Sequence, residues 1–285
     1  MRRWLNAAAA SAQFVSERPG LWLPGALAWV ASVGWIPLLI AVAHPPSDAE
    51  LTFLGARIVT SGAWPWNAVL IGVLATAVVV VAFAVVAVAN AALLGLVEGR
   101  PTTAGTAGRL LGIALIAAIP GTIILVVLLG VTASVAPGAF NAPEDRGGPV
   151  LRTIIGVAPV IAGLAVAIVL GAAFAAVAAR THGIRSAGRR LALVGGAGWV
   201  QVVLGTLVHA AFLFLAALLL GVLWAPIGGA LGLNGGIDIA TALLLVGFVA
   251  IWLCLVLAGG ALHAWSAATW SRLLAGPPPM PQQRT

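Results

Sequence analysis

Six long apolar runs, separated by short stretches that hold nearly all of the charge, constrain this chain more than any other feature. The hydrocarbon core of a bilayer is about 30 Å thick, and about 20 apolar residues cross it as a helix. Runs of at least that length fall at 21–43, 67–97, 107–136, 151–179, 190–224 and 238–272. Hydrophobic residues make up 62% of the chain and charged residues 7%, where a soluble domain carries about 25% charged residues. No water-soluble core of this length could hide so much apolar surface. The expected fold class is all-α, a polytopic transmembrane bundle of six helices. Several runs exceed the minimum by about ten residues, which implies tilt or projection beyond the bilayer. Pro24, Pro37, Pro120 and Pro159 each remove a backbone donor inside a run, so kinks are expected there.

The arginines orient the bundle. All 14 basic residues are arginine. With a cytoplasmic N-terminus, six spans place the C-terminus on the same side. The cytoplasmic segments then hold eleven arginines, among them Arg100, Arg109, Arg180, Arg185, Arg189 and Arg190. The outside holds three: Arg57, Arg146 and Arg152. Positive charge in short loops stays inside, so the expected topology is N-in and C-in, in the cytoplasmic (inner) membrane of a bacterium. The dense stretch RTHGIRSAGRR (180–190) becomes the cytoplasmic loop between spans four and five, its arginines meeting headgroups. The formal charge of +7 is thereby accounted for without nucleic acid as a partner; membrane lipids are the expected one. Tyrosine is absent, leaving the interfacial aromatic role to 11 tryptophans.

The chain divides into three parts. Residues 1–20 begin with two arginines and an alanine run too short and weak for a signal sequence. On a helix, Trp4, Leu5, Ala8, Ala12 and Val15 share a face, so an amphipathic helix lying on the cytoplasmic surface is expected. Residues 21–273 form the transmembrane domain, and 274–285 a disordered Pro-rich tail. A shift of 80 residues superimposes Arg100 on Arg180 and Ala107-Gly108-Arg109 on Ala187-Gly188-Arg189. Spans two–three and four–five would then be parallel copies of one hairpin. In span four, Gly163, Ala167, Gly171 and Ala175 place a small residue at every fourth position, a face for close helix packing within the chain or with a second copy. The segment 221–238, rich in glycine and containing Pro226, reads as an apolar outer loop.

Little chemistry is visible. No Asp, Glu, Lys or Arg lies at bilayer depth, which argues against a pump or a proton-coupled carrier. No HxxxH, CxxC, GxSxG, P-loop or dinucleotide fingerprint occurs, so neither metal nor other cofactor is expected, and no catalytic residues. The single cysteine, Cys254, excludes an internal disulfide. The most distinctive polar feature is a face of span five, where Gln201, Gly205 and His209 follow one another at i, i+4 and i+8. There His209 either bonds a backbone carbonyl or Gln201 across a tight contact, or serves as a ligand or proton acceptor. Asn90 and His263 are placed near the cytoplasmic ends of their spans, where headgroup or loop contacts would satisfy them.

In layout and in three short motifs, EGRPTTAGTAGRLLG (98–112), HGIRSAGRRLALVGG (182–196) and ATWSRLLAG (268–276), the chain resembles a group of bacterial proteins. These are uncharacterised six-span proteins similar to the membrane domain associated with glycerophosphoryl diester phosphodiesterases. The soluble phosphodiesterase domain has no counterpart here. The resemblance therefore implies a helical membrane module concerned with lipid or with assembly, and no hydrolase activity. The expected function is that of a non-enzymatic accessory or scaffold subunit of a membrane assembly, partnered by other membrane subunits or by itself. The alternative is a permease or flippase-like carrier for lipid or another apolar solute.

Overall fold

The computed structural model describes residues 1–42, 56–57, 60, 62–63, 65–99, 104–113, 115, 163, 165–166, 168–177, 189, 194–234 and 238–275. Among these every regular element is helical and no strand occurs. Most of runs three and four, including Pro120 and Pro159, lies outside the described residues, as do the tail 276–285 and most of the hairpin repeat.

Helix α1 (Arg2–Ser16) ends because Pro19 follows. The residue before a proline is driven out of the helical region, and Arg18 sits at φ −127°, ψ 70°. A single turn, Pro19–Leu21, redirects the chain into α2 (Trp22–Trp29). Next come a widened π-helical turn, Val30–Gly34, and α3 (Ile36–Val42). The segment Pro19–Gly34 and α3 meet at 50°. The bend has a covalent cause, since Pro37 lacks an N–H and its ring would collide with the carbonyl of Val33; the wider turn relieves the clash. Pro24 breaks nothing, because it falls in the first turn of α2, where the backbone donor is unpaired in any case.

Helix α4 (Trp66–Glu98) matches the second run and stops at Gly99, whose φ of 64° only glycine adopts without strain. Residues 104–113 form α5, and Ile168–Val177 form α6. The long pair α7 (Gly196–Asn234) and α8 (Ile239–Ala275) completes the described chain. Helices α4, α7 and α8 are each long and apolar enough to cross a membrane, and the bent α2–α3 segment makes a fourth if taken as one span.

Two expectations are corrected here. The segment 221–234 is the end of α7 rather than a loop, and the helix runs through Pro226. In an apolar medium a helix is the means by which a segment satisfies its own backbone. Packing also rewards it: Leu220, Ile227 and Phe248 are buried together, and Trp224 tilts against Phe248 at 5.3 Å. The 39 residues of α7 span about 58 Å, well beyond the hydrocarbon core. The buried face of α1, secondly, is Trp4, Ala8, Ser11 and Val15, while Leu5 and Ala12 are exposed. That 4-3-4 spacing is a seam for protein contact. Trp4 and Ala8 join the core with Val194, Trp270 and Leu273.

The tightest helix approach among the described glycines joins α2 to α8. A Cβ added to Gly260 would lie 2.6 Å from both Ala26 Cα and the Trp22 carbonyl oxygen, and one on Gly25 would strike the Gly260 carbonyl. One turn along, the Trp29 ring covers Gly259 and meets Phe212 of α7 edge-on at 5.7 Å. In span four, Ala175 is buried, Ala167 falls outside the described residues, Gly163 is exposed and Gly171 half-buried. No described atom lies within 4 Å of a Cβ at Gly163 or Gly171.

Candidate functional site: a buried polar seam

Helices α7 and α8 are antiparallel neighbours joined by a short connection. Two contacts fix their register: Trp224 against Phe248 near the connection, and Gly198 against Trp270 at the far end. Between those points, His209 lies level with His263, Thr206 with Ser266, and Gln201 with Trp270. On α8, Gly259, His263, Ser266 and Trp270 form a buried stripe at helical spacing, and on α7 Gln201, Gly205 and His209 form another.

Hydrogen bonds fix the chemistry of each end. Trp4 of α1 donates its indole N–H to Gln201 Oε1 at 2.6 Å, so the Gln201 amide nitrogen is turned inward, over Gly205. His209 Nδ1 lies 2.8 Å from the Gly205 carbonyl. A carbonyl only accepts, so Nδ1 carries the proton and the neutral ring leaves Nε2 as a bare acceptor. Across the seam, the Asn90 side chain of α4 donates through Nδ2 to the Val86 carbonyl at 2.9 Å. Its Oδ1 therefore accepts, at 2.7 Å, from His263 Nε2. The neutral His263 ring then leaves Nδ1 bare. Gln201 is 0% exposed, and His209 and His263 are 1% exposed.

Helix α1 closes the lower end. Arg3 donates to the Leu273 carbonyl at 2.8 Å, capping an orphan acceptor in the last turn of α8. Trp265 donates to the Ala8 carbonyl at 3.0 Å. Arg18 and Arg272 both lie against the Phe14 ring, at 4.5 Å and 5.5 Å. The upper end is closed by Trp29, Leu213, Ile168 and Ala165, all buried in one cluster.

The face Gln201–Gly205–His209 is thus buried as a unit, His209 bonding the Gly205 carbonyl of its own helix and Gln201 accepting from Trp4 of α1. Asn90 and His263 do not look to headgroups or loops, contrary to expectation. They bond each other inside the bundle, and Trp4, Ser266 and Trp270 complete the surroundings. The signal for His263 was available, because Gly259, His263, Ser266 and Trp270 repeat at one helical face. The link to Asn90, 173 residues away, had none. Of the loop arginines, Arg109 is half-buried and reaches Thr106 Oγ1 at 3.3 Å, and Arg189 is exposed. Arg100, Arg180, Arg185 and Arg190 lie outside the described residues. Among the described residues no group of three His, Cys, Asp or Glu side chains is placed to hold a metal ion.

Comparison with protein-family models, curated proteins and solved structures finds no match.

Proposed function

We propose that the chain is a six-span protein of the bacterial inner membrane, with both termini cytoplasmic, acting as a non-enzymatic accessory or scaffold subunit of a membrane assembly. The observation that carries this reading is the first half of α4. From Trp66 to Val81 its described large apolar side chains are exposed, including Val69, Leu70, Val73 and Leu74. Among the described residues nothing covers this half of the helix, and a transmembrane helix so exposed offers a partner helix contact that lipid fills only in part. The buried polar seam agrees with it, being covered by α1 below and closed by Trp29 above rather than open through the bundle to a solute. Arginine asymmetry supports the topology, the 80-residue shift supports parallel hairpins, and the resemblance to the phosphodiesterase-associated membrane domain supports a module working with lipid or with assemblies.

A second reading, a carrier for lipid or another apolar solute, is favoured by one observation: His209 Nε2 and His263 Nδ1 are buried acceptors with no partner among the described residues. Native mass spectrometry of the protein, extracted gently from its own membrane, separates the two. A stoichiometric second protein supports the subunit. The chain alone, carrying a defined lipid or small molecule, sinks that reading and makes the carrier the leading one.

A further inference from the structure

The seam between α7 and α8 holds a set of polar atoms that the protein does not satisfy. Gln201 Nε2, Thr206 Oγ1 and His209 Nε2 on α7 have no hydrogen-bond partner among the described residues. The same holds for His263 Nδ1, Ser266 Oγ and Trp270 Nε1 on α8. The register pairs them in three successive layers over eight residues of α7, a rise of about 12 Å. Buried polar groups in apolar surroundings are normally paired. Ser11 Oγ, Trp29 Nε1 and Trp252 Nε1 are unpaired as well, on α1, α2 and the upper part of α8. The six atoms between Gln201 and His209 and between His263 and Trp270, however, follow one another along one helix contact and describe a site.

The donors and acceptors decide what can fill it. The two imidazole nitrogens only accept, the Gln201 amide nitrogen and the Trp270 indole only donate, and the two hydroxyls do either. A cation would satisfy the histidines and be repelled by the N–H groups. An anion would suit the N–H groups and face two lone pairs. A molecule that both donates and accepts, and is small enough for a contact between packed helices, satisfies all six. We propose that the seam is a built site for a file of internal water, running from beneath α1 to the His209–His263 layer and ending there. Above that layer Trp29 offers one further unpaired donor, its indole N–H, and Phe212 and Leu213 offer nothing polar, so the file ends against them as a blind well and not a channel. It brings exchangeable protons to two neutral histidines on facing helices, whether the chain is a subunit or a carrier.

The test uses the full chain, with 15N-labelled histidine, in lipid bilayers. Solid-state NMR would record magnetisation transfer from water protons to each imidazole nitrogen. Transfer to both His209 Nε2 and His263 Nδ1 is expected, with His209 protonated at Nδ1 and His263 at Nε2. The double variant Thr206→Val, Ser266→Ala should cut that transfer several-fold while leaving both tautomers unchanged, which also reports that the fold survives. Transfer to neither histidine in the native chain would overturn the proposal. So would transfer that the double variant leaves at its native rate, because the water would then reach the rings by another route.

Discussion

Replacing Gly260 by alanine tests the α2–α8 contact on which the rest of the packing leans. The added Cβ would sit 2.6 Å from Ala26 Cα and from the Trp22 carbonyl oxygen, where ordinary contact is 3.4–4 Å. Both obstacles are backbone, so no rotamer change relieves them and the helices must part by roughly 1 Å. A gap of that size forfeits about a quarter to a half of each dispersion contact along the seam. Within a bilayer that loss matters more than in water, since lipid is as apolar as the side chains and dispersion holds helices together. Overpacking of this kind costs about 1–3 kcal/mol, and the upper half of that range is expected. The same change at Gly247, exposed on α8 with nothing within 4 Å of its Cβ, should stabilise by about 0.5–1 kcal/mol through helix propensity alone. Reversible unfolding of both variants in bicelles, followed by steric trapping, should therefore move in opposite directions. If Gly260→Ala proved as stable as the native chain, the close approach would be wrong, and the seating of Trp29 over Gly259 with it.

Trp4→Phe keeps the ring but removes the donor to Gln201; a loss of about 0.6–1.7 kcal/mol is expected, with faster hydrogen exchange over α1 as the readout. Asn90→Leu strands the His263 Nε2–H and should cost about 1–3 kcal/mol, while the double change with His263→Leu should recover part of it in a double-mutant cycle. Asp238 caps α8 by accepting from the Thr241 amide at 2.7 Å, and the Thr241 hydrogen bonds hold its carboxylate below the ordinary value of 3.8. The cap is therefore present above that value and is lost as pH falls through the lowered one. Exchange over the first turn of α8 should quicken in strong acid, and Asp238→Asn should abolish the dependence. Neutral replacements of Arg185, Arg189 and Arg190 together should disturb insertion of spans four and five in cysteine-accessibility mapping.

Helix positions were legible where apolar length alone decides them. The second and sixth runs match α4 and α8 within a few residues, because a segment without water has no alternative to the helix. Sequence reasoning failed where local punctuation competes with that rule. Pro226 and the glycines after it read as a loop, yet they sit inside α7, where Ile227 packs against Leu220 and Phe248. Pro24 and Pro37 read alike, and their positions within a helical turn made one harmless and the other a bend. Tryptophans illustrate the same limit. Trp66 and Trp199 are exposed as interfacial anchors would be, whereas Trp29 and Trp270 are buried, a difference set by which helix approaches them.

The polar seam was half legible, and the reason is physical. The Gln201–Gly205–His209 face shows itself through the period of a single helix. Its completion by Asn90, His263 and Trp4 depends on three other elements and on an antiparallel register that no local pattern states. That register also explains why the polar residues gather where they do. From the connection between α7 and α8 down to Trp29, the contact is made by apolar side chains and the Trp252 ring, whose indole N–H has no partner among the described residues, and dispersion holds it. Below Trp29 the helices exchange hydrogen bonds with α1 and α4, and Arg3 caps the end of α8. The histidine layer is where these two kinds of cohesion meet. Higher up, the indole N–H groups of Trp29 and Trp252 find no acceptor among the described residues, whereas lower down Gln201 Oε1 and the Leu273 carbonyl are bonded by α1. Histidines left bare at that boundary are thus the deepest point to which polar cohesion extends from the α1 side. For this reason a change at His209 or His263 should alter the site without loosening the upper half of the bundle.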